Sequence, residues 1–287
     1  MNGENINYLS SPKLSKHVFD TLGAFIHEKL GIKMPDSKRV MIESRLRKRL
    51  KFLGIDQYAD YCDYLFSEAG MENEIHEFIN VVTTNKTDFF REPNHFSYMS
   101  EKALPELAEN FGSGINKTLN VWSSACSQGD EPYTLAIVLS EFAKKYKTYD
   151  FSILATDISM KILELAKKGV YHHSHIEPID IDLRKKYLLK SKDKNKNIVR
   201  IIPELRKKII FRQMNLIEGE FRIRNTMDII FCRNVIIYFD RKTTDLLLKR
   251  LCGKLRTGGF LFMGHSELLD CTKLPLQQVA PTIYRKM

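Results

Sequence analysis

From Thr118 onward the chain alternates short apolar runs with longer amphipathic ones, and this rhythm limits the fold more than any other feature. Thr118–Ser123, Phe151–Thr156, Ile209–Met214 and Met227–Cys232 have strand length and are rich in β-branched or aromatic residues. Glu131–Lys145, Ser159–Lys168 and Lys242–Leu255 carry helical spacing. Thr257-Gly258-Gly259 reads as a turn before a last strand, Phe260–Gly264. Strands that alternate with helices form a mostly parallel sheet with helices on both faces, so the expected class is α/β, doubly wound and Rossmann-like. Tyr187–Lys190 and Ile198–Ile202, joined through Asn195-Lys196-Asn197, read as a small β insert at about 180–205. Residues 13–82 show no strand pattern. His17–Leu30, the stretch Lys38–Lys51, Gln57–Glu68 and Glu72–Val82 read as consecutive helices. A small helical domain over 1–82 is therefore expected before an α/β domain over 83–287.

The formal net charge of +10 is concentrated in two places. Lys38–Lys51 carries seven bases (Lys38, Arg39, Arg45, Arg47, Lys48, Arg49, Lys51) against Glu43 alone. Arg184–Arg212 carries twelve bases against Asp193 and Glu204. In the first stretch Ile42, Leu46, Leu50 and Leu53 form an apolar stripe, Pro35-Asp36-Ser37 offers a start and Gly54 a stop. Its bases fill the rest of the circumference, either as a solvated face or as a surface for an acidic partner. Bases in the second stretch are accompanied only by Tyr187 and Phe211, which gives little support to stacking on single-stranded nucleic acid.

No apolar run approaches the roughly 20 residues of a membrane-spanning helix, so no membrane insertion is expected. Met1–Asn5 lacks a basic leader followed by an apolar core, so no secretory signal is expected. Five widely spaced cysteines without a C-x-x-C suit neither a disulfide framework nor a zinc site, and point to buried thiols in a reducing, cytoplasmic setting. His172, His173 and His175 with Glu177 are too compact for a typical zinc site, and no metal is expected.

In open α/β sheets the ligand lies beyond the carboxyl ends of the strands. After the first strand comes Ser123-Ser124-Ala125-Cys126-Ser127-Gln128-Gly129-Asp130-Glu131-Pro132. Its residues are small, but it is not G-x-G-x-x-G, and it places two acids where a helix begins. Those acids would repel a pyrophosphate at that helix start. They suit a ligand with cationic groups, such as the amine and sulfonium of S-adenosylmethionine. Strand two ends in Asp157, an acid placed to accept from ribose hydroxyls, or else to cap the helix Ser159–Lys168. Strand four ends in Cys232-Arg233-Asn234-Val235, followed by Tyr238, which would either line an acceptor site or belong to the core.

Four ordered motifs resemble the CheR family of chemotaxis receptor methyltransferases. They are Thr84-Asn85-Lys86-Thr87-Asp88-Phe89-Phe90-Arg91-Glu92, Ala125–Tyr133, Cys232–Phe239 and Gly264-His265-Ser266-Glu267. The resemblance spans nearly the whole chain. It implies transfer of a methyl group from S-adenosylmethionine to glutamate side chains of chemoreceptors, leaving S-adenosylhomocysteine. It implies that Asn85, Thr87 and Arg91 contact the cofactor, with Arg91 positioned for its carboxylate or for the acceptor; Arg91, and Tyr238 from its position after strand four, are the expected catalytic residues. It further implies Glu131 for the amine, Asp157 for the ribose, and Asn215, Leu216, Asn234 and Val235 around the adenosine. Lys38, Arg45, Lys48 and Arg49 are implied to face the acidic cytoplasmic helices of a receptor. The β insert corresponds to one that docks a receptor tail peptide in some members, though here its turn contains no glycine. A monomer is expected. The competing reading, a nucleic-acid methyltransferase, would use the basic stretches. It would also be expected to show N-P-P-Y or D-P-P-Y after strand four, where this chain has Asn234-Val235-Ile236-Ile237-Tyr238.

Overall fold

A computed structural model describes residues 12–193 and 195–287; Met1–Asn5 and Lys194 of the insert's turn lie outside the described residues. The chain divides into two compact units, one ending at Thr84 and the other running from Asn85 to Met287.

The first unit is all helical. Helix α1, Lys16–Leu30, starts where the Ser15 hydroxyl accepts the Val18 amide (3.3 Å) and stops at Gly31 in the left-handed region. It buries Phe19, Leu22 and Ile26 on one face. Helix α2, Arg39–Leu53, buries Ile42, Leu46 and Leu50 and ends at Gly54, again left-handed. The expected third helix is broken. Ser67 is extended, and its side chain caps a new helix, so α3 is Tyr58–Phe66 and α4 is Glu68–Asn73. Helix α5, Ile75–Val82, completes the unit.

Two of the cations expected to face a partner turn inward instead. Arg49 makes a two-pronged pair with Glu74, Nε to Oε1 at 2.9 Å, and Tyr61 donates to the same carboxylate at 3.0 Å. Glu74 is 1% exposed, and an ionised carboxylate at such depth needs a partner. Arg45 Nη1 donates to the carbonyls of Val81, Val82 and Thr83 (2.9–3.2 Å), which the end of α5 leaves without intrahelical partners. Lys38 is half-buried, and its amine donates to the Lys33 carbonyl. Lys48 and Lys51 point outward on the side opposite the buried stripe, with Val40 and Phe52, which are 75% and 77% exposed.

In the second unit, α6 (Pro93–Tyr98) runs through a widened turn, Met99–Ala103, into α7 (Leu104–Phe111). Pro105 supplies the cause, because it has no N–H to continue the regular ladder. Then follow β1 (Leu119–Ser124), α8 (Asp130–Ala143), β2 (Phe151–Asp157), α9 (Met160–Lys168) and β3 (Val170–His172). The chain continues with α10 (Ile181–Tyr187), β4 (Leu188–Lys190), β5 (Ile198–Ile201), α11 (Pro203–Arg206) and β6 (Ile209–Gln213). It closes with β7 (Met227–Cys232), α12 (Arg241–Lys254), β8 (Leu255–Met263), β9 (Leu276–Ala280) and β10 (Ile283–Lys286).

The main sheet has the order β6-β2-β1-β7-β8-β10-β9. Strands β6, β2, β1, β7 and β8 are parallel; β10 is antiparallel to both β8 and β9. On one face Val121, Ile153, Ile229 and Phe231 join the main core with Leu107, Leu135 and Leu163 of α7, α8 and α9. The insert forms its own sheet, β3-β5-β4, and takes β3 from before the expected segment. The turn expected at Thr257-Gly258-Gly259 does not form. Helix α12 passes directly into β8, with a register shift in the β7–β8 pairing. Gly258 sits in this stretch at φ 79°, and a Cβ there would lie 2.4 Å from the Phe111 ring.

Arg49→Ala should lower the unfolding free energy by about 3 kcal/mol, because Glu74 stays buried without its partner. Lys48→Ala should change it by less than about 0.5 kcal/mol. Urea unfolding of the full chain followed by circular dichroism measures both.

Candidate functional site

The parallel register brings the carboxyl ends of β6, β2, β1 and β7 to one edge, and the order reverses direction between β1 and β7. Asp157 ends β2, Glu131 follows β1, Asn215 and Leu216 follow β6, and Asn234 and Val235 follow β7. The implied adenosine, ribose and amine contacts therefore share this edge of the sheet.

Asp157 is 6% exposed and accepts the Ser127 amide at 2.9 Å and the Ser159 amide at 3.0 Å. Burial pushes its carboxyl up, against the pull of those amides. It is not the cap of α9; the Ser159 hydroxyl takes that place by accepting from Ile162 at 3.1 Å. A carboxylate has about four lone-pair directions, so Asp157 keeps acceptor capacity beyond these amides and that of Ile158, which also faces it.

Glu131 is engaged on both oxygens. Ser123 donates to Oε1 and Arg233 Nε donates to Oε2, both at 2.7 Å. Asp130, next to it, is fully buried. Its Oδ1 is bonded to His175, its Oδ2 has no partner among the described residues, and burial raises its carboxyl. His172 bonds Ser174 at 2.8 Å, so the compact histidines have separate polar partners.

The segment from Asn85 to Glu92 is tied to this edge at several points. Ser127 donates to the Asn85 carbonyl (2.8 Å), and the Phe90 amide donates to the Thr134 hydroxyl (3.2 Å). The Phe89 ring packs edge-on against Tyr171. Arg91 donates to the Lys86 carbonyl at 3.3 Å and remains half-buried, as do Asn85 and Thr87. Asn215 spends its side chain on its own turn, accepting the Ile217 amide and donating to Glu218. Leu216 is 7% exposed, and Tyr238 is half-buried in a short turn over Ile236–Tyr238.

Two residues that sequence reasoning did not single out organise the site. Arg233 follows the all-buried strand β7, and its side chain is 3% exposed. Besides Glu131, it donates to the Arg91 carbonyl at 2.7 Å and approaches Glu92 at 3.4 Å and His95 Nδ1 at 3.2 Å. Glu267 is 2% exposed, and its carboxylate accepts the amides of Asn234, Val235, Ile236 and Gly264 at 2.7–2.9 Å. Gly264 is required there, since a Cβ would lie 2.6 Å from Asn234 Nδ2 and 2.8 Å from Glu267 Oε2. The detectable signal for Arg233 was a charged residue directly after an apolar strand, which burial obliges to find partners; Glu267 lies four residues past the end of β8 and had no such signal.

Five non-glycine residues in the left-handed region cluster in these segments: Phe90, Glu92, Ala125, Ser127 and Asn234. Each costs of order 1–3 kcal/mol and persists only where surrounding contacts hold it, as they commonly do at functional sites.

Glu92, His95 and His265 bring three potential ligand atoms within 4.8 Å of one another. The donor set does not suit a metal ion, because Arg233 Nη1 already lies against Glu92 and His95 Nδ1. Burial first, and then the Arg233 charge, lowers His95 to about 4. The Cys126 and Cys232 thiols are both pushed up by burial, Cys232 to about 12, which makes them inert packing groups.

The family model for the CheR methyltransferase SAM-binding domain matches residues 85–284, and that for the CheR all-alpha domain matches residues 17–83. The chain belongs to the CheR methyltransferase family. It is 33% identical over 287 residues to a chemotaxis protein methyltransferase of Borreliella burgdorferi, covering all of both chains. It is 37% identical to chemotaxis protein methyltransferase 2 of Pseudomonas aeruginosa, over 88% of this chain and 87% of that one. It is 34% identical to the chemotaxis protein methyltransferase of Escherichia coli, over 88% and 85%. It is thus an S-adenosylmethionine-dependent methyltransferase of the chemotaxis class, and these matches give no support to a nucleic-acid substrate. Among the described residues no helix is long and apolar enough to cross a membrane.

The buried imidazole predicts a pH dependence for this methyltransferase. In the unfolded chain His95 binds a proton near pH 6.5, and in the folded chain only near 4. The unfolded state therefore holds the extra proton between those values. Stability is lost as pH falls through that window, by about 3 kcal/mol in all, and His95 has no effect above it. The His95 ring resonances should stay at their neutral position down to about pH 5 in an NMR titration, and His95→Gln should flatten the fall in stability between pH 6.5 and 5.

Proposed function

We propose that this methyltransferase acts in the cytoplasm, as a monomer, and transfers the methyl group of S-adenosylmethionine to glutamate side chains of chemoreceptors. The products are the glutamate methyl ester and S-adenosylhomocysteine. The observation that carries this reading is the buried, cation-free carboxylate of Asp157 at the carboxyl edge of a CheR-family sheet. Asp157 accepts from the ribose, Glu131 from the amine, and the backbone and side chains of Asn215, Leu216, Asn234 and Val235 enclose the adenosine. Asn85, Thr87 and Arg91 close over the cofactor from the segment that Ser127, Thr134 and Arg233 hold in place.

S-adenosylmethionine, when bound, supplies an activated methyl on a sulfonium. The acceptor carboxylate has a reference pKa of about 4.3, so near neutrality it is already the nucleophile and no protein base is needed. The chain's part is to orient the acceptor, through Arg91 and Tyr238, and to exclude water. Orientation of this kind supplies roughly 7–11 kcal/mol. Arg91 suits orientation because, among the described residues, its guanidinium spends one bond, to the Lys86 carbonyl.

The receptor's acidic helices meet the outward face of α2, which Lys48 and Lys51 build beside Val40 and Phe52, with Lys38 at the start of the helix. Arg45 and Arg49 support that face from behind. In the insert, β3 and β4 are the edges of the sheet, where an extended receptor tail can add as a further strand.

Transfer of labelled methyl from S-adenosylmethionine to receptor-containing membranes tests the reading. Base-labile label on the receptor is expected; base-stable label on added RNA, with none on receptor, would sink it. Asp157→Asn should weaken S-adenosylhomocysteine binding by about 1.5–3 kcal/mol, roughly tenfold to more than a hundredfold, in a calorimetric titration. Reversing Lys48 and Lys51 to Glu should slow receptor methylation without changing cofactor affinity. Because exposed charges are screened beyond about 8 Å at physiological ionic strength, added salt should slow the parent protein more than the variant. Equal salt sensitivity of initial rates in the two proteins would remove α2 as the docking face.

A further inference from the structure

Strands β6 and β7 are joined by residues 214–226 without a helix. On the face of the sheet opposite the main core, this segment folds over Trp122 through Phe221, with ring centroids 5.0 Å apart. Helix α12 braces it there, Arg250 donating to the carbonyls of Leu216 and Glu218. Toward the starts of β1, β2 and β6 the same face stays open, and a groove of about 520 Å³ lies on it.

Parallel strands are normally covered on both faces and read as continuous apolar runs. Here Asn120 of β1 and Ser152 of β2 stand at paired positions and line the groove, and Ile210 of β6 is 56% exposed beside them. Arg212, Arg222 and Arg224 surround it, and no acid is among its lining residues. Arg212 Nη1 donates to the Arg222 carbonyl at 2.7 Å, which fixes these two residues relative to each other. The side chains of Arg222 and Arg224 have no ion pair among the described residues, so three like charges line one hollow without compensation.

We propose that this groove binds a nucleotide-like phosphate ester at a site separate from the methyl-transfer edge. Guanidinium forks match phosphate oxygens. Leu154, Ile210 and Ile223 give an apolar floor for a planar ring, and the amides of Asn120 and Asn225 offer both donors and acceptors to its edge. The volume falls within the roughly 300–1,000 Å³ of small-ligand clefts. Asn120 lies four residues before the end of β1, about 13 Å along the strand from the carboxyl edge. A ligand here would therefore leave the cofactor site clear, while β1 and β2 run between the two.

The test uses the full chain saturated with S-adenosylhomocysteine, so that the adenosine site is filled. Calorimetric titration with ADP, GDP, CDP and UDP should show saturable one-site binding for at least one of them. Arg222→Ala combined with Arg224→Ala should weaken that binding at least tenfold while leaving S-adenosylhomocysteine affinity at the parent value, which also reports an intact fold. Lys190→Ala with Lys192→Ala, in the β insert and outside the groove lining, should change nothing. Pyrophosphate should bind at least tenfold more weakly than the best nucleotide, because it leaves the floor unused. The proposal is overturned by no binding of any of the four, by equal binding to the double arginine variant, or by pyrophosphate that binds as tightly as the nucleotides.

Discussion

The buried guanidinium of Arg233 is the interaction on which the geometry of the site depends. It joins Glu131, which opens α8, to Glu92 and the Arg91 carbonyl, which end the segment running from Asn85. It also takes the Nδ1 lone pair of His95, whose Nε2 then donates to Thr282 at 3.0 Å. One positive charge thus sets the position of three chain segments and the tautomer of a histidine. Its flat faces lie against Phe96 and Phe231, 5.2 and 5.4 Å from the ring centroids. Removing one member of so buried a set leaves the others charged and unpaired, which costs several kcal/mol.

Glu267 does for the backbone what Arg233 does for the side chains. Four amides converge on one carboxylate, and in accepting them it holds Asn234 at φ 59°. Burial raises its carboxyl, yet the amides oppose that rise, so the loop and the charge stabilise each other. The strained residues around the edge are therefore not loose ends. Phe90, Glu92, Ser127 and Asn234 are each held by a polar contact named above, which is the condition under which strain at a binding edge persists.

Much of this was legible in the sequence for a simple reason. Parallel strands buried on both sides, such as Met227–Cys232, need continuous apolar runs, and left-handed glycines such as Gly31 and Gly54 stop helices by backbone necessity. What the sequence hid depends on distant partners. The stripe sets Arg49, seven residues after Ile42, beside the core and Lys48 away from it, but what Arg49 neutralises lies 25 residues away in Glu74 and has no local signal. The turn expected at Gly258-Gly259 failed similarly, because the glycine answers to the Phe111 ring rather than to its neighbours. The strands β9 and β10 went unread because they are only five and four residues long, too short to carry a clear periodic signal, and β9 at the sheet edge is mostly exposed. Arg233 and Glu267 were visible in their motifs, but their roles depended on which segments the fold brings around them.

Three acids share the carboxyl edge and differ in how their charge is met. Glu131 has the Arg233 guanidinium, and Asp130 has the His175 ring and the start of α8, where the helix dipole favours a negative group. Asp157 has only backbone amides, those of Ser127, Ile158 and Ser159, and no ion-pair partner among the described residues, and burial raises its carboxyl. An acid in that position gains most from further donors. On the proposed reading, hydroxyls that donate to Asp157 favour its ionised form, so cofactor binding and ionisation of this carboxyl reinforce each other. Glu131 gains less, because its charge is already met. The discrimination between the two acids therefore follows from the placement of one arginine, and the ribose end of the cofactor falls to the acid that the arginine leaves alone.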